Sequence, residues 1–196
     1  MSSGRSNVAL FAVVAAALVA QPARANETGP TMVVWAWHRN GSLESLSPDR
    51  FEVAFLARTL TLQSGGVAIA HRRSPVRVAP GTRLTAVVRI ERDPALSADS
   101  AQRWLAETRD AVLGAHARAH AALQIDFDAP RSFRPFYRAL LAQIRATLPR
   151  ATRLSMTALG SWCTGDRWMH DLPADEIVPM LFAMGRGGAP VHRVLA

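Results

Sequence analysis

An α/β fold built on a parallel sheet is what the sequence predicts, and three observations predict it. Six short apolar runs rich in valine, isoleucine and aromatics recur along the chain. They are Met32 to Trp37, Phe51 to Leu56, Leu84 to Ile90, Leu123 to Phe127, Leu154 to Leu159 and Ile177 to Phe182. Most are apolar on both faces, as in a parallel sheet covered by helices on one side and closed or covered on the other. Two amphipathic stretches fall between the third and fourth and between the fourth and fifth, the order expected of right-handed βαβ units. The closed form of that pattern is a (β/α)8 TIM barrel, whose functional residues lie at the C-terminal ends of the strands.

The elements follow in order. From Ser97 to Ala119, Ala101, Trp104, Leu105, Thr108 and Val112 fall at helical spacing, with Trp104 assigned to the core. After the fourth strand, Ser132 is placed to cap a helix with Pro135 in its first turn. Phe133, Phe136, Tyr137, Leu140, Leu141, Ile144 and Leu148 form its buried stripe. Arg134, Arg138 and Arg145 lie off that stripe and read as a solvated face. The second connection differs: Thr59 to Gln63 and Val67 to His71 alternate around Ser64-Gly65-Gly66, a β-hairpin inserted after the second strand.

Before the first strand, Arg5, an unbroken apolar run from Val8 to Ala20 and Ala23-Arg24-Ala25 make residues 1–25 a secretory signal peptide. The run is shorter than the roughly 20 residues of a membrane span. The expected product, residues 26–196, is one periplasmic or secreted domain with no membrane span. Its lone Cys163 cannot form an internal disulfide and reads as a small hydrophobe beside Trp162. The net charge of +8 raises nucleic acid as a partner. Against that, all 23 basic residues are arginine, as in a chain written in GC-rich codons, and they are dispersed instead of interleaved with aromatics. No nucleic-acid partner is expected.

The sharpest chemical feature is Leu123-Gln124-Ile125-Asp126-Phe127-Asp128. Alternation sends Gln124, Asp126 and Asp128 to one face, the barrel interior if helices take the other. Charged groups there need pairing or a solvated mouth. Two aspartates spaced by two also repel, which raises the pKa of one and suits it to donate a proton. The plainer alternative makes Asp128, before Ala129-Pro130, a turn residue. Arg89 and Glu91 share a face at the end of the third strand and Arg58 follows the second. They either pair with the aspartates or line the same mouth. Trp35 and Trp37 share a face, and with Trp162 and Trp168 they stand where indoles stack on sugar rings or pack in a core.

Other motifs fail: His116 and His120 lack the glutamate of a zincin, Gly185 to Gly188 opens no helix, and Ser161 lacks the glycines of a nucleophile elbow. No metal and no cofactor is expected.

As a set, the runs Val33 to Trp37, Val53 to Arg58, Val87 to Glu91, Leu123 to Asp128, Leu154 to Leu159 with Ser161-Trp162-Cys163, and Val178 to Phe182 resemble an exported bacterial family of unknown activity, the uncharacterised-domain family numbered 3142. More distantly, the fourth strand is similar to that of family 18 chitinase-like barrels, which ends in aspartate, any residue, aspartate, any residue, glutamate. Gln124, Asp126 and Asp128 stand at those positions. The resemblance makes Asp128 the acid and Asp126 its electrostatic partner or base, and it likens Met180 to a methionine of the sixth strand. Phe182 lacks the phenolic hydroxyl found there.

The sequence therefore predicts a glycoside hydrolase acting on an envelope or extracellular glycan through Asp128 and Asp126. Trp35, Trp37, Arg89, Glu91, Gln124, Trp162 and Met180 are its expected binding residues. The alternative is a barrel that binds glycan or an envelope protein without catalysis, or an inactive fragment. The barrel is expected to be incomplete, with six strands where eight are needed and too few residues after Phe182 for another βα unit; a frameshift, an early stop or a partner supplying the missing strands would each account for it.

Overall fold

A computed structural model describes residues 32–37, 42–116, 121–163 and 167–180. Residues 1–25, expected to be an export signal, and His120, Asp166, Phe182 and Gly185 to Gly188 lie outside them. In chain order the elements are β1 (Met32–Ala36), β2 (Ser42–Leu43), β3 (Phe51–Gln63), β4 (Gly66–His71), β5 (Arg77–Val78), β6 (Leu84–Arg92), α1 (Ala98–Ala101), α2 (Leu105–His116), β7 (Ala122–Asp126), α3 (Arg134–Thr147), β8 (Arg153–Leu159) and β9 (Glu176–Met180). Six strands pair in parallel in the order β1-β3-β6-β7-β8-β9 and curl into a half-barrel. β2 and β5 form a separate two-residue ladder, too short to leave a periodic signal.

Alternation decides which side chains meet the helices. Phe55, Val88, Ile90, Leu123, Ile125, Leu154 and Met156 pack with Val112 of α2 and Leu140, Leu141 and Ile144 of α3 in one core on the convex side. Each fully buried side chain of this size contributes about 1.5–3 kcal/mol, so this layer is what holds the sheet to the helices. The stripe of α3 is buried as its spacing predicts, whereas Ser132 does not cap it. Ser132 lies inside a 3-10 turn, Arg131–Phe133, and Phe133 occupies the cap position without a side-chain hydrogen bond. Trp104 also falls in a 3-10 turn, Gln102–Trp104, and is half-buried instead of belonging to the buried core cluster its spacing predicts.

The arginines of α3 are not a solvated face. Arg138 donates to the carbonyls of Trp168 (2.6 Å) and His170, and Arg134 lies 5.0 Å from the Trp168 ring centroid. Arg145 donates to the carbonyls of Leu148, Pro149 and Thr152 and pairs with Asp175 at 3.1 Å. Together they fasten the segment before β9 onto α3.

The hairpin is not an insertion after the second strand but that strand's own continuation. β3 runs unbroken for 13 residues and turns at Ser64-Gly65 into β4. At Ala57 the register with β6 slips by one residue, a β-bulge. β1 lies along Phe51 to Phe55 and β4 along Arg58 to Gln63, so both occupy the same edge of β3 and abut near the bulge.

Candidate functional site

The concave face follows from register. Trp35, Thr59, Arg89, Glu91, Gln124, Asp126, Thr157 and Met180 occupy the positions that alternate with the core-facing ones. The charged and aromatic ones gather at the C-terminal end of the sheet. Trp35 and Trp37 meet at 5.6 Å between centroids with their planes tilted by 44°, and the Arg89 guanidinium lies 6.0 Å from the Trp37 ring. Arg89 Nε pairs with Glu91 Oε1 at 2.9 Å on the rim, where both side chains are partly exposed. Next along the arc comes Asp126, only 6% exposed. Thr157 Oγ1 of β8 donates to its Oδ1 at 2.8 Å, while its Oδ2 makes no hydrogen bond among the described residues.

Burial pushes the Asp126 carboxyl above the usual carboxylate range, and the charges of Asp128 and Glu91 push the same way. The Thr157 hydrogen bond and the Arg89 charge pull against that rise without cancelling it. Asp128 is exposed two residues further on, at a tight turn closed by Ala129 N donating to Phe127 O at 2.7 Å. The geometry thus makes Asp128 a turn residue that also faces Asp126 electrostatically. Gln124, 4% exposed, sits one step deeper on the same face, and its Oε1 has no hydrogen-bond partner among the described residues.

Two predicted members lie elsewhere. Trp162 is 4% exposed on the convex side, because the 3-10 turn Gly160–Trp162 after β8 carries it back over α3. There it meets Trp168 edge-on at 4.9 Å, and Trp168 packs against Tyr137. Arg58 does not reach the aspartates. The bulge at Ala57 turns it to the helix side, where Nη1 donates to Ala111 O (2.6 Å) and Nη2 to Gly114 O (2.8 Å). Met180 is half-buried opposite Leu159 at the far end of the arc, and Cys163 is partly buried, its thiol pKa raised by burial.

Sequence reading passed over Thr157: the alternation in Leu154-Ser155-Met156-Thr157 gives it the face of Ser155, and only the register of β8 on β7 sets it beside Asp126. Among the described residues no group of three or more His, Cys, Asp or Glu converges as metal ligands, and no helix is long and apolar enough to cross a membrane. Compared with known proteins, the chain matches no family model, no curated protein and no solved structure, so any reading of this site rests on the residues themselves.

Proposed function

We propose that this chain is an exported carbohydrate-active protein of the (β/α)8 type that hydrolyses an envelope or extracellular glycan at the C-terminal rim of its sheet. The observation that carries the reading is the single arc of Trp37, Arg89, Glu91, Asp126 and Asp128, an aromatic platform beside paired carboxylates. The similarity of the fourth strand to chitinase-like barrels supports it.

The roles that fit the environment are the reverse of those the resemblance implies. Asp126, whose protonated form burial favours, gives its proton to the glycosidic oxygen as the bond from that oxygen to the sugar carbon breaks. Asp128, exposed at the turn, takes a proton from the water that adds to that carbon. Asp126→Asn and Asp128→Asn each lower turnover of a responsive glycan by roughly 10² to 10⁴-fold. Chitin, peptidoglycan and galactosamine oligomers are the substrates to try, with reducing ends as the readout. Undiminished turnover in either variant overturns the assignment.

A second reading has its own support: Asp126 is almost covered and Arg89 is already engaged by Glu91. On that reading the arc binds glycan without cleaving it. Quenching of Trp35 and Trp37 fluorescence by the same oligomers, with no new reducing ends, would establish it.

A further inference from the structure

The edge of β3 is interrupted where β1 stops and β4 begins, and four basic residues converge at that break. Arg72 fastens it: its backbone N–H donates to Ala57 O, its Nε to Ser74 O and its Nη1 to the carbonyls of Ala36 and Trp37, leaving Nη2 without a hydrogen bond among the described residues. Arg58 is fixed from the other side by the last carbonyls of α2, and it fits because Gly114 has no Cβ: one built there would meet Arg58 Nη1 at 2.6 Å. Arg73 and His71 are exposed beside them, and Arg73 makes no hydrogen bond or ion pair within the described residues.

Two clefts meet at this point. One, of about 280 Å³, opens on the concave side between Trp37, Leu56 and Thr59. The other, of about 600 Å³, opens on the helix side between Ala57, Val76 and Ala115, and lies within the size range of ligand pockets. Both are lined by Arg58, His71, Arg72, Arg73 and Ser74, and among the described residues no aspartate or glutamate lines either. Arg72, held rigid by backbone carbonyls, and the exposed Arg73 bring guanidinium groups to this opening with no carboxylate beside them among the described residues, which suits an anionic oxygen group. On the concave side the lining passes directly to Trp37 and from there to Arg89.

We propose that this break in the sheet is a subsite for the anionic group of an acidic oligosaccharide, a carboxylate, sulfate or phosphate ester, whose neighbouring sugar ring lies on Trp37. The sugar half of this inference rests on the glycan reading above, whereas the anion half rests on the arginines alone. It also gives the ligand a direction, with the acidic residue toward β4 and the bond to be cleaved toward Asp126.

Binding of oligogalacturonate, a sulfated chondroitin oligomer and a phosphorylated mannan oligomer to the full chain tests it, against a neutral chitin oligomer of equal length and a single-stranded oligonucleotide of equal charge. At low salt at least one acidic oligosaccharide binds tenfold or more tighter than the neutral one, and the arm that does so identifies the anion. Arg73→Glu, which removes no hydrogen bond or ion pair within the described residues, weakens that binding at least tenfold and leaves the melting temperature and the neutral affinity unchanged. Trp37→Ala weakens both. An acidic affinity indifferent to Arg73→Glu, or no preference for any acidic oligomer, overturns the proposal. So does tighter Arg73-dependent binding of the oligonucleotide, which would make the cleft a nucleic-acid site. Acidic binding without hydrolysis removes the hydrolase reading and leaves the subsite standing, whereas hydrolysis of neutral glycans with no preference for any acidic oligomer does the opposite.

Discussion

Asp126 is held where a carboxylate is least comfortable. Its folded pKa lies above the ordinary value, so the native state holds its proton more tightly than the unfolded chain does. Stability then falls as pH rises from the ordinary aspartate range through the folded pKa, over which the penalty for a buried charge sets in. Asp126→Asn removes that charge and keeps an oxygen for Thr157 to donate to. The variant is expected to melt a few degrees higher at pH 7, at roughly 2–4 °C per kcal/mol for a chain of this size, with the gap closing below pH 4. A variant that melts lower at pH 7 would mean that the charged form is stabilised by something outside the described residues. The pairing of this higher stability with lost turnover would mark a residue kept for chemistry at a cost to the fold. Alternation alone made the two aspartates visible in the sequence. Which of them is buried depends on Thr157, supplied from a strand 31 residues away, and no local pattern carries that.

At the scale of elements, the strands were legible because each is a run of branched and aromatic residues, and α3 because its stripe has the helical period. Arg58 was not. Simple alternation along β3 gives it the same face as Leu56, and the extra residue at Ala57 reverses the phase. A bulge is a backbone event with no required residue type, and its partner Gly114 lies 56 residues away in α2. That contact makes Gly114→Ala a test of element packing with a sign that depends on context. In an open helix the change gains about 1 kcal/mol of helical propensity. Here the added Cβ collides with a guanidinium anchored by two carbonyls, so the variant is expected to lose about 1–2 kcal/mol net, a typical overpacking cost. In an Arg58→Ala background the obstacle is gone and Gly114→Ala should stabilise. Urea denaturation of the two singles and the double variant gives the coupling, and additive effects would mean that Arg58 does not fill that seat in solution. The arginines of α3 carry the same lesson, since their off-stripe positions look solvated until the segment before β9 folds back to accept their hydrogen bonds.

Across the whole molecule, the curl of the sheet is enforced from its concave side at the end opposite the candidate site. Glu52 of β3 is 4% exposed and accepts from Thr85 Oγ1 of β6 and from Arg153 Nη2 of β8 at 2.5 Å. In the sheet order β3 and β8 are three strands apart, about 14 Å in a flat sheet at ~4.8 Å per strand. Side chains can bridge that span so tightly only if the strands bend toward one another, so the ion pair acts as a chord across the half-barrel. Arg153 Nε also approaches Glu176 Oε2 of β9 at 3.8 Å, extending the chord toward the last strand of the arc. Removing the cation leaves a buried glutamate with one hydroxyl for company. Breaking a fully buried pair costs about 3–5 kcal/mol, and because Arg153 is partly exposed the expected loss for Arg153→Ala is smaller, about 2 kcal/mol. Glu52→Gln keeps an acceptor for Thr85 and strands no buried charge, so it should cost less than half as much. Since the chord also sets how closely β6 and β8 approach at the rim, Arg153→Ala is expected to change Trp35 and Trp37 fluorescence in the folded protein, although both lie on β1 or just beyond it and touch neither partner. Denaturation curves that rank the two variants in the opposite order, or tryptophan emission unmoved by Arg153→Ala, would show that the curl is set by the helices on the convex face and not by this bridge.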